Sequence, residues 1–297
     1  QTDTLKLYLQ DTLNFGDLTV NLGVQKYFVD VEKYDNFANG ITGKVNSDSD
    51  FLFSTGVVYQ INNNMEVFAG FSENFSAIKD GVLERDASTL DEIEPETAEN
   101  IDVGIRYNND NLDFSATYYS ISFDNRITFI APGSDTSGID YSIGTNGTYL
   151  NVGGIDSTGF ELSASYRFNE NWDIYSSYTN NDSTYVGNAP GFESGTKVID
   201  SVDDMFVFST NYTLESFRAG LSAKYTGERG DADAYTVVDF NAGYTASIDS
   251  NVFKSFDLSF VVYYLTDESY LSTGTGNGTT FFIGAPRTAS MTFTVSF

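Results

Sequence analysis

The last eight residues read Ser290-Met291-Thr292-Phe293-Thr294-Val295-Ser296-Phe297. Met291, Phe293, Val295 and Phe297 alternate with four hydroxyl residues, Ser290, Thr292, Thr294 and Ser296. A period of two places every apolar residue on one face of a β-strand and every hydroxyl on the other. The same period recurs upstream. Phe160, Leu162, Ala164, Tyr166 and Phe168 oppose Glu161, Ser163, Ser165 and Arg167. Phe217, Ala219, Leu221, Ala223 and Tyr225 oppose Arg218, Gly220, Ser222 and Lys224, and Ile101, Val103, Ile105 and Tyr107 oppose Asp102, Gly104 and Arg106.

Two architectures produce this alternation. A soluble sandwich turns the apolar face inward. A membrane barrel turns it outward to lipid, keeps a polar lumen and carries aromatic girdles. Connection lengths separate them. The pattern predicts about 13 strands, at 4–14, 17–30, 51–60, 65–75, 99–108, 111–130, 149–168, 171–186, 202–213, 216–227, 234–246, 255–265 and 287–297. Tight turns such as Phe15-Gly16-Asp17, Asn62-Asn63-Asn64 and Leu214-Glu215-Ser216 alternate with long Gly- and acid-rich loops at 31–50, 76–98, 131–148, 187–201, 228–233 and 266–286. Short turns on one side and long loops on the other are the pattern of an outer-membrane barrel. Several strands also exceed the usual five or six residues, as strands that overhang a bilayer do.

Composition narrows the chemistry. The 297 residues hold 15 Lys+Arg and 42 Asp+Glu, a net charge of −27, so nucleic-acid binding is disfavoured by repulsion from phosphate. There is no Cys and no His, which removes disulfides, thiolate zinc sites, the Ser-His-Asp triad and any imidazole base. The 25 Phe and 20 Tyr are too much apolar material for a disordered coil and suit lipid-facing strands. No run reaches the 18 or more apolar residues of a transmembrane helix. Gln1 stands where an initiator Met would, so a processed or truncated N-terminus is expected.

Motifs then point to a family. Phe297, ending an alternating strand, resembles the assembly signal of outer-membrane proteins. Pro95-Glu96-Thr97-Ala98-Glu99-Asn100-Ile101-Asp102-Val103-Gly104 resembles a PE-x-x-x-N-x-E-x-G strand of the TonB-dependent receptors, with Asp102 where Glu is usual. Tyr118-Tyr119 followed by Phe123-Asp124-Asn125-Arg126-Ile127 resembles the family's next strand. Asn151-Val152-Gly153 through Gly159-Phe160-Glu161-Leu162 resembles N-x-G…G-x-E. Tyr235-Thr236-Val237-Val238-Asp239 is similar to Y-x-x-x-D, and Leu265-Thr266-Asp267-Glu268-Ser269-Tyr270 to N-L-x-D-x-x-Y, with Tyr264 in place of Asn. Gly284-Ala285-Pro286-Arg287-Thr288 resembles G-x-P-R-T. Each motif is weak alone. Six in family order over 95–297 are specific together, whereas 1–94 carry no sharp motif.

The resemblance implies an all-β antiparallel transmembrane barrel of 22 strands with a plug in its lumen. This chain would be a single barrel domain, 1–297, holding about the last 13 strands and no plug. The odd count agrees, because a complete barrel of this class has an even number. The implied function is TonB-dependent import of a scarce ligand, a ferric siderophore or other iron chelate, across the outer membrane of a Gram-negative bacterium. No catalytic residues and no cofactor are expected. The implied partners are the TonB complex through the missing N-terminal region, outer-membrane lipid and lipopolysaccharide, and the barrel-assembly machinery.

Ligand groups would lie in the long loops and on the upper lumen wall: Arg126, Tyr141, Tyr149, Tyr185, Phe192, Arg229, Tyr235, Tyr270, Phe281 and Phe282. Aromatic rings suit planar or catecholate ligands and arginine suits anionic chelates. Girdle or loop packing is the competing role for each. The acids Asp80, Glu84, Asp86, Asp91, Glu92, Glu94 and Glu96 crowd one loop, but no EF-hand spacing selects a Ca²⁺ site. Gly274 to Gly278 lacks the βαβ context of a dinucleotide loop. Two alternatives stand beside the importer: a complete smaller barrel, such as an autotransporter translocator, fatty-acid channel or porin, and a soluble acidic sandwich.

Overall fold

The structure is a computed structural model of the whole chain and describes every residue except 38, 85–92, 131–147, 188–191, 200, 249–251 and 275–280. Tyr141 therefore lies outside the described residues. The chain begins with β1 (Thr2–Phe15), β2 (Leu18–Asp35), β3 (Gly40–Asn46), β4 (Leu52–Asn62) and β5 (Met65–Ser76). After a 3₁₀ turn at Asp80–Glu84 come β6 (Glu96–Asn108), β7 (Leu112–Asp124), β8 (Ile127–Ile130), β9 (Thr148–Asn151), β10 (Gly154–Asn169) and β11 (Trp172–Val186). The remainder is β12 (Asp204–Leu214), β13 (Phe217–Thr226), β14 (Tyr235–Ser247), β15 (Ser255–Tyr263), β16 (Leu271–Gly274), β17 (Phe281–Ile283) and β18 (Thr288–Ser296).

One sheet runs in the order β1-β2-β4-β5-β6-β7-β10-β11-β12-β13-β14-β15-β18, with β3 added to β2. Its path carries the thirteen strands expected from the alternation, and β1 and β18 are its two ends. β8 with β9, and β16 with β17, form separate hairpins. The tight turns fall where the sequence puts them. Gly16, at φ 65°, lies between Phe15 and Leu18, which pair across the first turn, and Glu215, at φ 50°, lies between the paired Leu214 and Phe217.

Two long expected strands are each broken. Segment 111–130 ends as β7 and restarts as β8, because Asn125 takes φ 58°. Segment 149–168 splits into β9 and β10 at Gly153, where φ is 103°. A left-handed residue turns the chain out of the pleat. The expected loops 31–50 and 266–286 are also partly ordered, as β3 and as the β16–β17 hairpin.

The chain divides into two compact units. In the second (Ile105–Thr117, Gly159–Asn181, Ile199–Phe297) the register stacks like upon like. Tyr212, Ala219, Ala242, Phe260 and Met291 form one row across β12, β13, β14, β15 and β18. The next row, on the opposite face, is Thr213, Arg218, Gly243, Ser259 and Thr292. The apolar row is not a core: Phe260 is 39% exposed and Met291 72%. On the polar face the Arg218 guanidinium lies over Gly243, where any Cβ would sit 2.4 Å from its Cζ. It thereby crosses a strand to bond Asp257 through both nitrogens, at 2.7 and 2.9 Å.

In the first unit (Gln1–Gly104, Tyr118–Thr158, Asp182–Val198) the same inversion holds. Phe53 is 55% exposed and Val103 50%. The buried residues lie elsewhere, at the upper end of the opposite face. Val29, Val31 and Leu83 pack together, and Ile78, Val82 and Ile93 form a second cluster beside Ile127 and Tyr149. The acid-rich loop 76–98 thus anchors itself by burying Ile78, Val82, Leu83 and Ile93, which its composition conceals. A sandwich would bury its alternating apolar face. Here that face is left open along strand after strand, as lipid-facing strands require.

Candidate functional site

The motif residues gather into two knots, one in each unit, both on the long-loop side of the strands. In the first unit, Asn151 sits at the end of β9. Its Oδ1 accepts the Glu94 N–H at 2.8 Å, and its Nδ2 donates to the carbonyls of Glu94 at 3.0 Å and Asn125 at 2.6 Å. Glu96 Oε1 accepts the Ile127 N–H at 2.8 Å. Arg126 N–H donates to the Gly153 carbonyl at 2.8 Å, and Val152 N–H to the Arg126 carbonyl at 2.9 Å. Pro95-Glu96, Asn125-Arg126-Ile127 and Asn151-Val152-Gly153 are therefore one hydrogen-bonded assembly. Gly153 is required twice over, by its φ of 103° and by a Val186 carbonyl 2.3 Å from where a Cβ would stand.

This knot presents a cation. Arg126 Cζ lies 5.6 Å from the ring centroids of both Tyr185 and Phe192, which meet edge to face at 5.2 Å. Tyr185 is buried at the end of β11. A desolvated cation–π contact contributes up to about 2 kcal/mol. Arg126 Nη1 is nonetheless buried without a hydrogen-bond partner among the described residues. An unpaired buried guanidinium N–H costs about 1–3 kcal/mol, and an incoming acceptor would recover it. Tyr149 does not join this group. It meets Phe129 at 5.3 Å in the β8–β9 hairpin and packs on the Ile78–Val82–Ile93 cluster.

The knot of the second unit is built from carboxylates. Asp239 Oδ1 accepts the Tyr264 N–H at 2.9 Å, and the Val238 carbonyl accepts Leu265 N–H at 2.7 Å. Asp267 Oδ1 accepts the Arg287 N–H at 2.9 Å, and its Oδ2 stands 3.6 Å from Arg287 Nη2. Gly284 N–H donates to the Tyr270 carbonyl at 2.8 Å, and the Tyr270 ring lies against Gly284 Cα, 2.4 Å from any Cβ placed there. Tyr235 and Tyr270 stack at 4.2 Å, with Tyr264 at 6.3 Å from Tyr270. Burial, followed by the neighbouring Tyr264, pushes the Tyr270 phenol above its ordinary value. Of the other expected ligand groups, Arg229 is buried in a tight turn with Ala232. Phe281 is half-buried and Phe282 exposed on β17. Phe297 is exposed and meets Phe253 at 5.3 Å.

The family model for the TonB dependent receptor-like β-barrel matches residues 1–265. The chain belongs to that family. The match takes in 1–94, where no sharp motif was found, and stops short of Gly284-Ala285-Pro286-Arg287-Thr288. Among solved structures, this receptor barrel resembles the siderophore receptor PiuA from Acinetobacter baumannii, with a TM-score of 0.76 at 20% identity, over 99% of this chain and 43% of that one. It also resembles the ferripyoverdine receptor of the outer membrane of Pseudomonas aeruginosa bound to ferripyoverdine, with a TM-score of 0.75 at 21% identity, over 99% and 38%. The copper transporter OprC matches with a TM-score of 0.73 at 15% identity, over 98% and 47%. At these identities the likeness is one of fold. The chain spans less than half the length of each of these three. The family is one of receptors and transporters, not of enzymes.

Inspection of the sequence missed what the motif residues do. Glu94, Glu96, Asn151, Asp239 and Asp267 were not singled out as hydrogen-bonding partners. For Glu96, Asn151, Asp239 and Asp267 a position inside a motif is the available signal; Glu94 stands one residue before its motif and bonds through its backbone. One departure from the family pattern gains a physical meaning. Tyr264 holds φ 55°, a left-handed conformation that the family's usual Asn accepts readily and a tyrosine does not.

Proposed function

We propose that this receptor barrel is part of the wall of a plug-gated, TonB-driven importer in the outer membrane of a Gram-negative bacterium, and that its cargo is a ferric siderophore or another iron chelate. The observation that carries the cargo class is Arg126. Its guanidinium is held between two aromatic rings on the long-loop side and has a buried N–H to give. An anionic chelate would satisfy that nitrogen, and its planar aromatic arms would stack on the half-buried Phe192 ring. The structural neighbours named for a siderophore and for ferripyoverdine support this reading, and the one named for copper supplies the competing cargo.

Tyr149, Arg229, Tyr235, Tyr270, Phe281, Phe282 and Tyr141 would contribute further contacts from the long loops. The whole of 1–297 would act as one barrel domain beside strands and a plug supplied by the rest of the protein. A complete smaller barrel is less favoured, because the described sheet path has thirteen strands where such barrels have an even number. The test is uptake of radiolabelled iron by cells whose only iron receptor is the full-length protein. Ferric catecholate, ferric hydroxamate and free copper would be offered in parallel. Arg126→Gln is expected to lower uptake of the preferred ferric chelate about tenfold, the equivalent of 1.4 kcal/mol. Copper uptake with no ferric uptake would overturn the cargo.

A further inference from the structure

The outward face of the first unit changes character along β2. From the short turn upward it presents Leu18, Val20, Leu22 and Val24, then Lys26 and Phe28, then Asp30 and Glu32. The last two form ion pairs with Lys44 of β3, at 3.3 and 3.1 Å. Lys26 thus stands at the boundary between an apolar band and a charged rim. It pairs in register with Leu7 of β1. Its ammonium lies 5.0 Å from the Phe51 ring and 5.4 Å from the Phe28 ring, and it makes no ion pair among the described residues. A groove of about 270 Å³ opens beside it, walled by Leu7, Leu9, Val24, Phe28 and Phe51.

An ammonium on a lipid-facing surface is costly unless something anionic meets it or it reaches the interface. The two flanking rings mark the interfacial level, where aromatic girdles lie. We infer that this groove holds a phosphate-bearing membrane lipid, with its phosphate on Lys26 and an acyl chain lying along Leu7, Leu9 and Val24. Charge chooses the occupant. The ammonium calls for an anion and the groove below it for hydrocarbon, a combination that a phosphate-bearing lipid supplies in one molecule. The proposal rests on the membrane reading of the exposed apolar face.

The test uses the full-length receptor, refolded into neutral detergent and into phosphatidylcholine vesicles. Flotation with the vesicles reports insertion, independently of Lys26. Retention of dioleoyl phosphatidylglycerol and of uncharged dioleoylglycerol is then read by native mass spectrometry for the wild type, Lys26→Gln and Lys6→Gln. Lys6 is the control, because it points to the opposite face, over Tyr8 and Tyr27. Lys26→Gln is expected to lower phosphatidylglycerol retention about fivefold, the equivalent of about 1 kcal/mol per basic residue at a membrane surface. Lys6→Gln and dioleoylglycerol retention should be unaffected. Equal retention by the wild type and Lys26→Gln, in protein that floats, would overturn the lipid site alone. Displacement of the lipid by millimolar inorganic phosphate would reduce it to an anion site and also overturn it. Failure of the wild type to float would remove the membrane reading and the proposal together.

Discussion

The two motif knots do the same mechanical job with different chemistry. Each fastens strand ends to the loops they carry on the long-loop side. The first uses the Asn151 side-chain amide, the Glu96 carboxylate and the close approach of Gly153, and its cation, Arg126, faces two rings with an Nη1 that has no partner among the described residues. The second uses the carboxylates Asp239 and Asp267, and its cation, Arg287, is consumed in pairing with Asp267. In the first the Glu96 carboxylate is spent on a backbone N–H and leaves the guanidinium for a ligand, whereas in the second a carboxylate neutralises the cation. For that reason the first is the stronger candidate for cargo recognition and the second for holding β18 in place.

Gly153→Val should break the first knot most severely. It imposes a left-handed φ on a β-branched residue and drives its Cβ into the Val186 carbonyl. A loss of about 3 kcal/mol or more is expected, read as the urea midpoint in detergent. The acceptors rank next. Asn151→Ala removes three hydrogen bonds and should cost about 2–3 kcal/mol, against about 1 kcal/mol for Asp239→Ala, which removes one. Equal losses would mean that the two knots share load in a way their bonding does not suggest.

Tyr264→Asn should act in the opposite direction, raising stability by about 1 kcal/mol by relieving a left-handed tyrosine. A loss would show that the Tyr264–Tyr270 contact outweighs the strain. The smallest effect is one of pH. A phenol raised above its ordinary value near 10 favours the folded state while protonated. Its contribution is complete below pH 10 and fades as pH climbs through the raised value. The stability difference between the wild type and Tyr270→Phe should therefore be flat up to pH 10 and shrink above it. A change between pH 6 and 9 would place the titrating group elsewhere.

Much of the fold could be read from residues alone. The thirteen strands of the sheet path follow from apolar–polar alternation and from turns such as Phe15-Gly16-Asp17. The break at Asn125 is hidden because Ile121, Phe123, Ile127 and Phe129 keep the alternation on either side of it, and the break at Gly153 because a single left-handed φ interrupts a run that is otherwise strand-like. The clusters around Leu83 and Val82 were missed because their apolar residues are scattered among acids, with no period to reveal a shared face. The site was legible in part. Arg126, Tyr185 and Phe192 are each named there, but not as neighbours, since Arg126 and Tyr185 lie 59 positions apart in the chain.

Residue order alone establishes an antiparallel all-β chain, two-faced strands, the side that carries long loops and membership of the receptor family. These depend on local spacing, which one strand or one motif displays in full. It cannot show how far the apolar rows stay exposed in the folded sheet, which cation keeps an N–H without a partner among the described residues, or that six motifs make two knots. Those depend on contacts between residues far apart in the chain. In this protein the decisive one is the folded sheet's exposure of its apolar rows, the arrangement a sandwich would have hidden.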